Sequence, residues 1–185
     1  IVMAIFANGR GFGLAVMKDA LTVVNAYNVT IRKYPISNKQ VLARIKEKIS
    51  YYLPSVIVLE EPKGYGSRKS KRVQELIKKI SSFALSKDLT VHQYSRNDIR
   101  FVFSAFNAHS KFEIASVITE NIPQLKEKLP EKRKSHEAES YAISIFDAVF
   151  FLSIYYVLKG KATIFNFLII QEPCFHIKIP LNSIF

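Results

Sequence analysis

The chain has 185 residues, enough to bury a core without disulfides. Its single cysteine, Cys174, excludes an internal disulfide framework and any zinc site built from cysteines. Hydrophobic residues make up 49% and charged residues 23%, which excludes a disordered chain, and six Gly with seven Pro exclude a collagen-like or low-complexity one. Twenty-seven Lys and Arg stand against fifteen Asp and Glu, for a formal charge of +12. That surplus predicts a polyanionic partner, with nucleic acid ahead of an anionic membrane. The most apolar stretch, 148–158, ends at Lys159 and is shorter than the roughly 20 residues a membrane span needs, so it reads as a core helix. Residues 1–7 are apolar but have neither a basic leader nor a small-residue cleavage site, so a cytoplasmic protein is expected.

Residues 1–7 read as a strand that closes in the turn cluster Asn8-Gly9-Arg10-Gly11. A second strand is expected over 12–18, a hairpin turn at Asp19-Ala20, and a third strand over 21–33, rich in Val, Thr, Ile and Tyr. Three strands with such short links form an antiparallel meander. The period then changes. Ser37 can cap a helix whose apolar positions Val41, Leu42, Ile45 and Ile49 recur at helical spacing, and Pro54 ends it. The run Val56-Ile57-Val58-Leu59 fits a strand covered on both faces, ending at Glu60-Glu61-Pro62. A loop over 63–70 leads into an amphipathic helix over 71–86, and a fifth strand follows over 89–94. Beyond it the pattern is mainly helical: a short helix over 97–103, another over 111–121, a charged connector over 123–134 and a long helix over 135–158. Residues 166–170 read as a sixth strand or a packed tail. No internal repeat and no splitting linker is present, so a domain over 1–158 with a C-terminal extension over 159–185 is expected.

Three groups of residues can carry chemistry. Glu60 stands where a buried parallel strand ends, and the carboxyl ends of such strands form the ligand crevice of open α/β sheets. A carboxylate there must be solvated, paired with a cation or bound to metal; the plainest account is a strand-exit acid in an ion pair. His136 and Glu139, three apart on a predicted helix, share a face and could hold a hard divalent cation with a third ligand from elsewhere. Acids in a first helical turn also favour the helix dipole, which accounts for Glu137 and Glu139 but not for His136. Asp147 lies further along the same apolar helix and must face a polar partner or solvent. Finally, the loop following Glu60-Glu61 carries Lys63, Tyr65, Arg68, Lys69, Lys71 and Arg72 with two glycines. Its basic side chains suit phosphates and its tyrosine suits stacking on a base. The Gly-Lys-Ser/Thr of a phosphate-binding P-loop is absent. A solvated helix start is the bland account, although lysines at a helix N-terminus oppose the dipole.

Taken in order, these pieces resemble the RuvC family of Holliday-junction resolvases, within the RNase H-like superfamily. Gly9 and Gly11-Phe12-Gly13 with Ala15 look like its glycine-rich first turn and second strand. Val56-Ile57-Val58-Leu59-Glu60 looks like its fourth strand with the terminal Glu. Ala108-His109-Ser110-Lys111 is similar to the stretch that opens a DNA-contacting helix, and His136-Glu137-Ala138-Glu139-Ser140-Tyr141-Ala142-Ile143 resembles its acid/His-x-x-Asp-Ala-x-Ala-Ile helix. The resemblance spans 1–158 and implies an α/β RNase H-like fold: a mixed five-stranded sheet, three antiparallel strands then two parallel ones, flanked by helices. It implies that Glu60, His136 and Glu139 converge as catalytic metal ligands for Mg2+ or Mn2+, that Lys111 joins the basic loop on DNA, that the substrate is branched DNA, and that the chain works as a homodimer.

One departure bears on activity. The family's first strand ends in Ile-Asp-Pro-Gly, and the text here is Ile5-Phe6-Ala7-Asn8, which sets Phe6 at the place of the acid that bridges two metal ions in the family. Asn8 offers only a neutral oxygen, and Asp147 does not fall at a position of the pattern. Two functions are therefore expected as alternatives: a metal-dependent endonuclease acting on branched DNA and weakened at Phe6, or a catalytically inactive nucleic-acid-binding module that keeps the fold and the charge. A purely structural subunit would leave the basic loop without a purpose.

Overall fold

The computed structural model describes residues 1–32, 34–63, 69–132 and 143–160. Strands β1 (Val2–Asn8), β2 (Gly11–Met17) and β3 (Val23–Thr30) form the antiparallel meander that the short polar links require. Asp19 closes the second link by accepting from the backbone N–H groups of Leu21 and Thr22, which holds its carboxyl below the usual range. Helix α1 (Asn38–Tyr52) begins at Ser37, whose side chain and that of Gln40 cap each other's backbone N–H groups. Strand β4 (Val56–Glu60) returns parallel to β1, α2 (Lys71–Leu85) crosses over, and β5 (Thr90–Tyr94) pairs parallel to β4. The sheet order is β3-β2-β1-β4-β5. Thus the expected mixed sheet, three antiparallel strands followed by two parallel ones and flanked by helices, is the fold of this chain. Helices α3 (Arg96–Ser104) and α4 (Lys111–Asn121) follow, then a 3-10 turn at Pro123–Lys128 and α5 (Ile143–Leu158). Residues 161–185 of the expected extension, including 166–170, lie outside the described residues.

Strand alternation divides the core in two. On β1, Met3, Ile5 and Ala7 face α1 and α2, joining Val41, Ile45, Leu76 and Ile80. Val2, Ala4 and Phe6 face the other way, toward α3, α4 and α5, with Phe103, Phe146 and Phe150. Helix α5 is apolar almost all round because it lies between the sheet and the α3–α4 layer. It also approaches β2 closely: a Cβ on Gly13 would sit 2.2 Å from the Ser144 carbonyl oxygen. Gly13→Ala must therefore push the first turn of α5 off the sheet. A loss of about 1–3 kcal/mol is expected, measured as a lower denaturation midpoint, whereas Gly9→Ala, where a Cβ meets nothing within 4 Å, should leave the packing of α5 intact.

Candidate functional site

The register of the sheet assembles the site. Ile5 of β1 stands opposite Leu59 of β4, which brings Phe6 beside Glu60 at the carboxyl ends of the two central strands. Both lie on the face covered by α5, since Val58 and Phe6 belong to that side of the core. Glu60 in turn pairs with Tyr94, and the chain passes through the cap Ser95 into Arg96, the first residue of α3. Glu60 is only 1% exposed and Asp147 of α5 is 2% exposed. A carboxylate so thoroughly removed from water needs counter-charge, and three cations from three elements supply it.

Lys69, in the stretch leading into α2, places its Nζ 2.8 Å from Glu60 Oε2 and donates to the Ala7 carbonyl oxygen. Its ammonium lies 3.5 Å from the centroid of the Phe6 ring. Arg96 donates from Nε to Glu60 Oε1 at 3.1 Å, and its guanidinium stands 5.5 Å from the same ring. Its Nη2 is 3.8 Å from Asp147 Oδ1, an ionic contact beyond hydrogen-bond reach. Lys111, at the start of α4, donates to Asp147 Oδ2 at 3.1 Å. Phe6 also stacks on Phe151 of α5, with ring centroids 6.3 Å apart. The cluster is therefore a chain of alternating charge, Lys69–Glu60–Arg96–Asp147–Lys111, with the Phe6 ring beneath Lys69 and Arg96. Burial pushes the Lys69 ammonium below its ordinary value, and the adjoining Glu60 carboxylate offsets part of that shift. Burial likewise pushes the Asp147 carboxyl up, with Lys111 and Arg96 pulling it back in part.

These positions bear directly on the residues singled out from the sequence. Glu60 is an ion-paired strand-exit acid, and Lys111 joins it in one cleft. Asp147 also reaches the cleft, although it fell outside the pattern assigned to the helix. It opens an Asp147-Ala148 pair preceded three residues earlier by Ser144, so the same acid-x-x-Asp-Ala spacing can be read here with serine in the first place. His136 and Glu139 lie outside the described residues, as do Tyr65 and Arg68. Lys63 and Lys71 are exposed. Lys69 and Arg72, expected among the phosphate-facing side chains, are turned to the protein: the Lys69 side chain is 8% exposed, and Arg72 donates to Gly9 O at 2.9 Å and Asn38 Oδ1 at 3.2 Å, tying α2 to the first hairpin. Arg96 was not anticipated. Its only signal was a basic residue immediately after a strand and its serine cap, and nothing local marked its target.

The described side chains do not fit a divalent ion. Position 6 offers a π-face, both buried carboxylates are already paired with cations, and among the described residues no group of three or more His, Cys, Asp or Glu is placed to hold a metal. Nor is any described helix long and apolar enough to cross a membrane. The energetic role of these ion pairs is open to measurement. Lys69→Met keeps the length of the side chain but leaves Glu60 with one cation fewer, and should cost about 3–5 kcal/mol. Adding Glu60→Gln should recover a large part of that loss. A double-mutant cycle by chemical denaturation reads the coupling directly.

No protein-family model matches the sequence, and no curated protein matches it. Solved structures do resemble it. The RuvC structure of Thermus thermophilus aligns with a TM-score of 0.56 at 15% identity, covering 87% of this chain and 97% of that one. The same organism's RuvC in complex with a Holliday junction substrate aligns at 0.56 and 14%, covering 87% and 96%. The yeast mitochondrial Holliday junction resolvase Ydc2 aligns at 0.58 and 12%, covering 92% of this chain and 86% of that one. With the meander, the two parallel strands and the crossing helix α5 all in this arrangement, the chain has the RuvC-like resolvase fold.

Proposed function

We propose that this chain is a nucleic-acid-binding module with a preference for branched DNA, and that it does not cleave by metal-dependent hydrolysis. The observation that carries this reading is the double pairing of Glu60. Lys69 and Arg96 engage both oxygens of Glu60 above the Phe6 ring, so neither that acid nor position 6 is available to an ion. Support for the ligand comes from the net charge of +12, from Lys63, Lys71, Arg96 and Lys111 around the carboxyl ends of the central strands, and from the likeness to a RuvC bound to its junction. Phosphates would be held by these side chains, which position the duplex arms without reading sequence. Tyr65 and Arg68, by residue type, would add a stacking partner for a base and a further phosphate contact.

A second reading, a junction endonuclease using Mg2+ or Mn2+, has one observation in its favour: Glu60 and Asp147 reach a single cleft, bridged by Arg96. Binding and cleavage of a synthetic four-way junction separate the two. The parent chain should bind the junction more tightly than linear duplex, with log affinity falling by about 0.9 per neutralised phosphate for each unit of log salt. It should leave the strands intact in Mg2+ or Mn2+. Cleavage by the parent that is abolished in Glu60→Gln would overturn the non-catalytic reading, and equal affinity for branched and linear DNA would remove the preference.

A further inference from the structure

The surroundings of Lys69 Nζ have the makings of a cation site, and an ammonium fills it. Its neighbours are a backbone carbonyl oxygen, Ala7 O, one oxygen of a buried carboxylate, Glu60 Oε2, and the face of Phe6. The first two are ligands that a hard divalent ion takes. The third suits an ammonium, which is attracted to an aromatic quadrupole, and cannot complete the oxygen shell of a divalent ion. A buried cation over an aromatic ring and a carboxylate below it are therefore matched to one another as a set: Phe6 in place of an acid removes a charge that the ammonium would otherwise have to share with Glu60.

The exposure of these cations points the same way. Among the described residues, Lys69 and Arg96 contact Glu60, and Arg96 and Lys111 approach Asp147. Arg96 sits where it can be reached. The Arg96 side chain is 25% exposed, against 8% for Lys69. Of the five N–H donors of the guanidinium, only Nε–H makes a hydrogen bond among the described residues. Its planar fork suits a phosphate bidentately, and Glu60 holds it through Nε.

Resting on the nucleic-acid-binding reading above, we infer that Lys69 and Arg96 replace divalent metal in this cleft, Lys69 as the fixed counter-cation of Glu60 and Arg96 as a metal-independent seat for one backbone phosphate. Two consequences follow from the geometry. Nucleic acid binds without divalent ions. A carboxylate introduced at position 6 is captured by Lys69 and Arg96, so it does not by itself create a metal site.

The test has two arms, both on the full chain. In the first, affinity for a synthetic four-way junction is measured at constant ionic strength with EDTA and with Mg2+. Equal affinity within about twofold is expected, and Arg96→Gln should weaken binding about tenfold or more and flatten the salt slope by about one unit, with Arg96→Lys recovering part of the affinity. A requirement for Mg2+, or an Arg96→Gln variant that folds and binds as the parent does, overturns the phosphate seat. In the second arm, Mn2+ alone is titrated and followed by electron paramagnetic resonance. The parent and Phe6→Asp should bind none at millimolar concentration, while Phe6→Asp combined with Lys69→Met should gain a site. Mn2+ binding by the parent, or by Phe6→Asp alone, overturns the replacement of metal. If the double variant does not fold, as judged by circular dichroism, the parent and Phe6→Asp titrations still decide. If the parent binds no nucleic acid, the proposed function falls, while the Mn2+ arm continues to judge the cation replacement on its own.

Discussion

A carboxylate buried at the end of a central strand is the constraint around which this molecule is organised. Glu60 closes β4, an interior strand of the sheet between β1 and β5, under α5, with almost no access to water. An ionised group in that position is tolerated only with close counter-charge and hydrogen bonds, and each must come from elsewhere in the chain. Lys69 arrives from the stretch ahead of α2 and Arg96 from the first turn of α3. Arg96 then reaches toward a second buried acid, Asp147, which Lys111 of α4 also engages. This chain of ion pairs fastens the crossover, the helical layer and α5 to the same strand end. Such ion pairs add little net stability over an apolar core of the same shape, but breaking one of them is costly. Their contribution is to fix where these elements meet.

Phe6 completes the arrangement from the sheet side. It stands beside Glu60, stacks on Phe151 and offers its face to Lys69. An aromatic ring there shields the ammonium from solvent without competing for its charge. The end of β4 is in this way furnished with fixed cations, of which Arg96 and Lys111 are partly exposed, their side chains at 25% and 28%. The site joins buried ion pairs to the packing of a core.

Much of the fold was legible in the residues. The meander followed from Asn-Gly and Asp-containing links between β-rich runs, α1 from Ser37 and its apolar spacing, and α4 from the stretch 111–121, which the helix Lys111–Asn121 matches. These features are local: periodicity, caps and turn chemistry act over a few residues. The acid at the strand end was also legible, because a continuous apolar run followed by Glu is visible in one dimension. The partners were not. Asp147 was recognisable as a buried polar residue in need of company, yet neither its partners nor its convergence on Glu60 could be read from spacing along one helix.

The sequence by itself determined the class of the fold, the strand that carries Glu60, an aromatic residue at position 6 and the surplus of positive charge, since each depends on residue type and short-range order. Only the tertiary structure decided that Lys69 turns inward to the carboxylate instead of outward to a phosphate, that Arg96 belongs to the site at all, and that Asp147 shares a cation with Glu60. Those outcomes depend on strand register and on how three separate helices dock over one end of the sheet. The range of an ion pair in space is a few ångströms, whereas its partners here stand 9, 36 and 36 residues apart along the chain, as Lys69, Arg96 and Lys111 do from Glu60, Glu60 and Asp147 respectively.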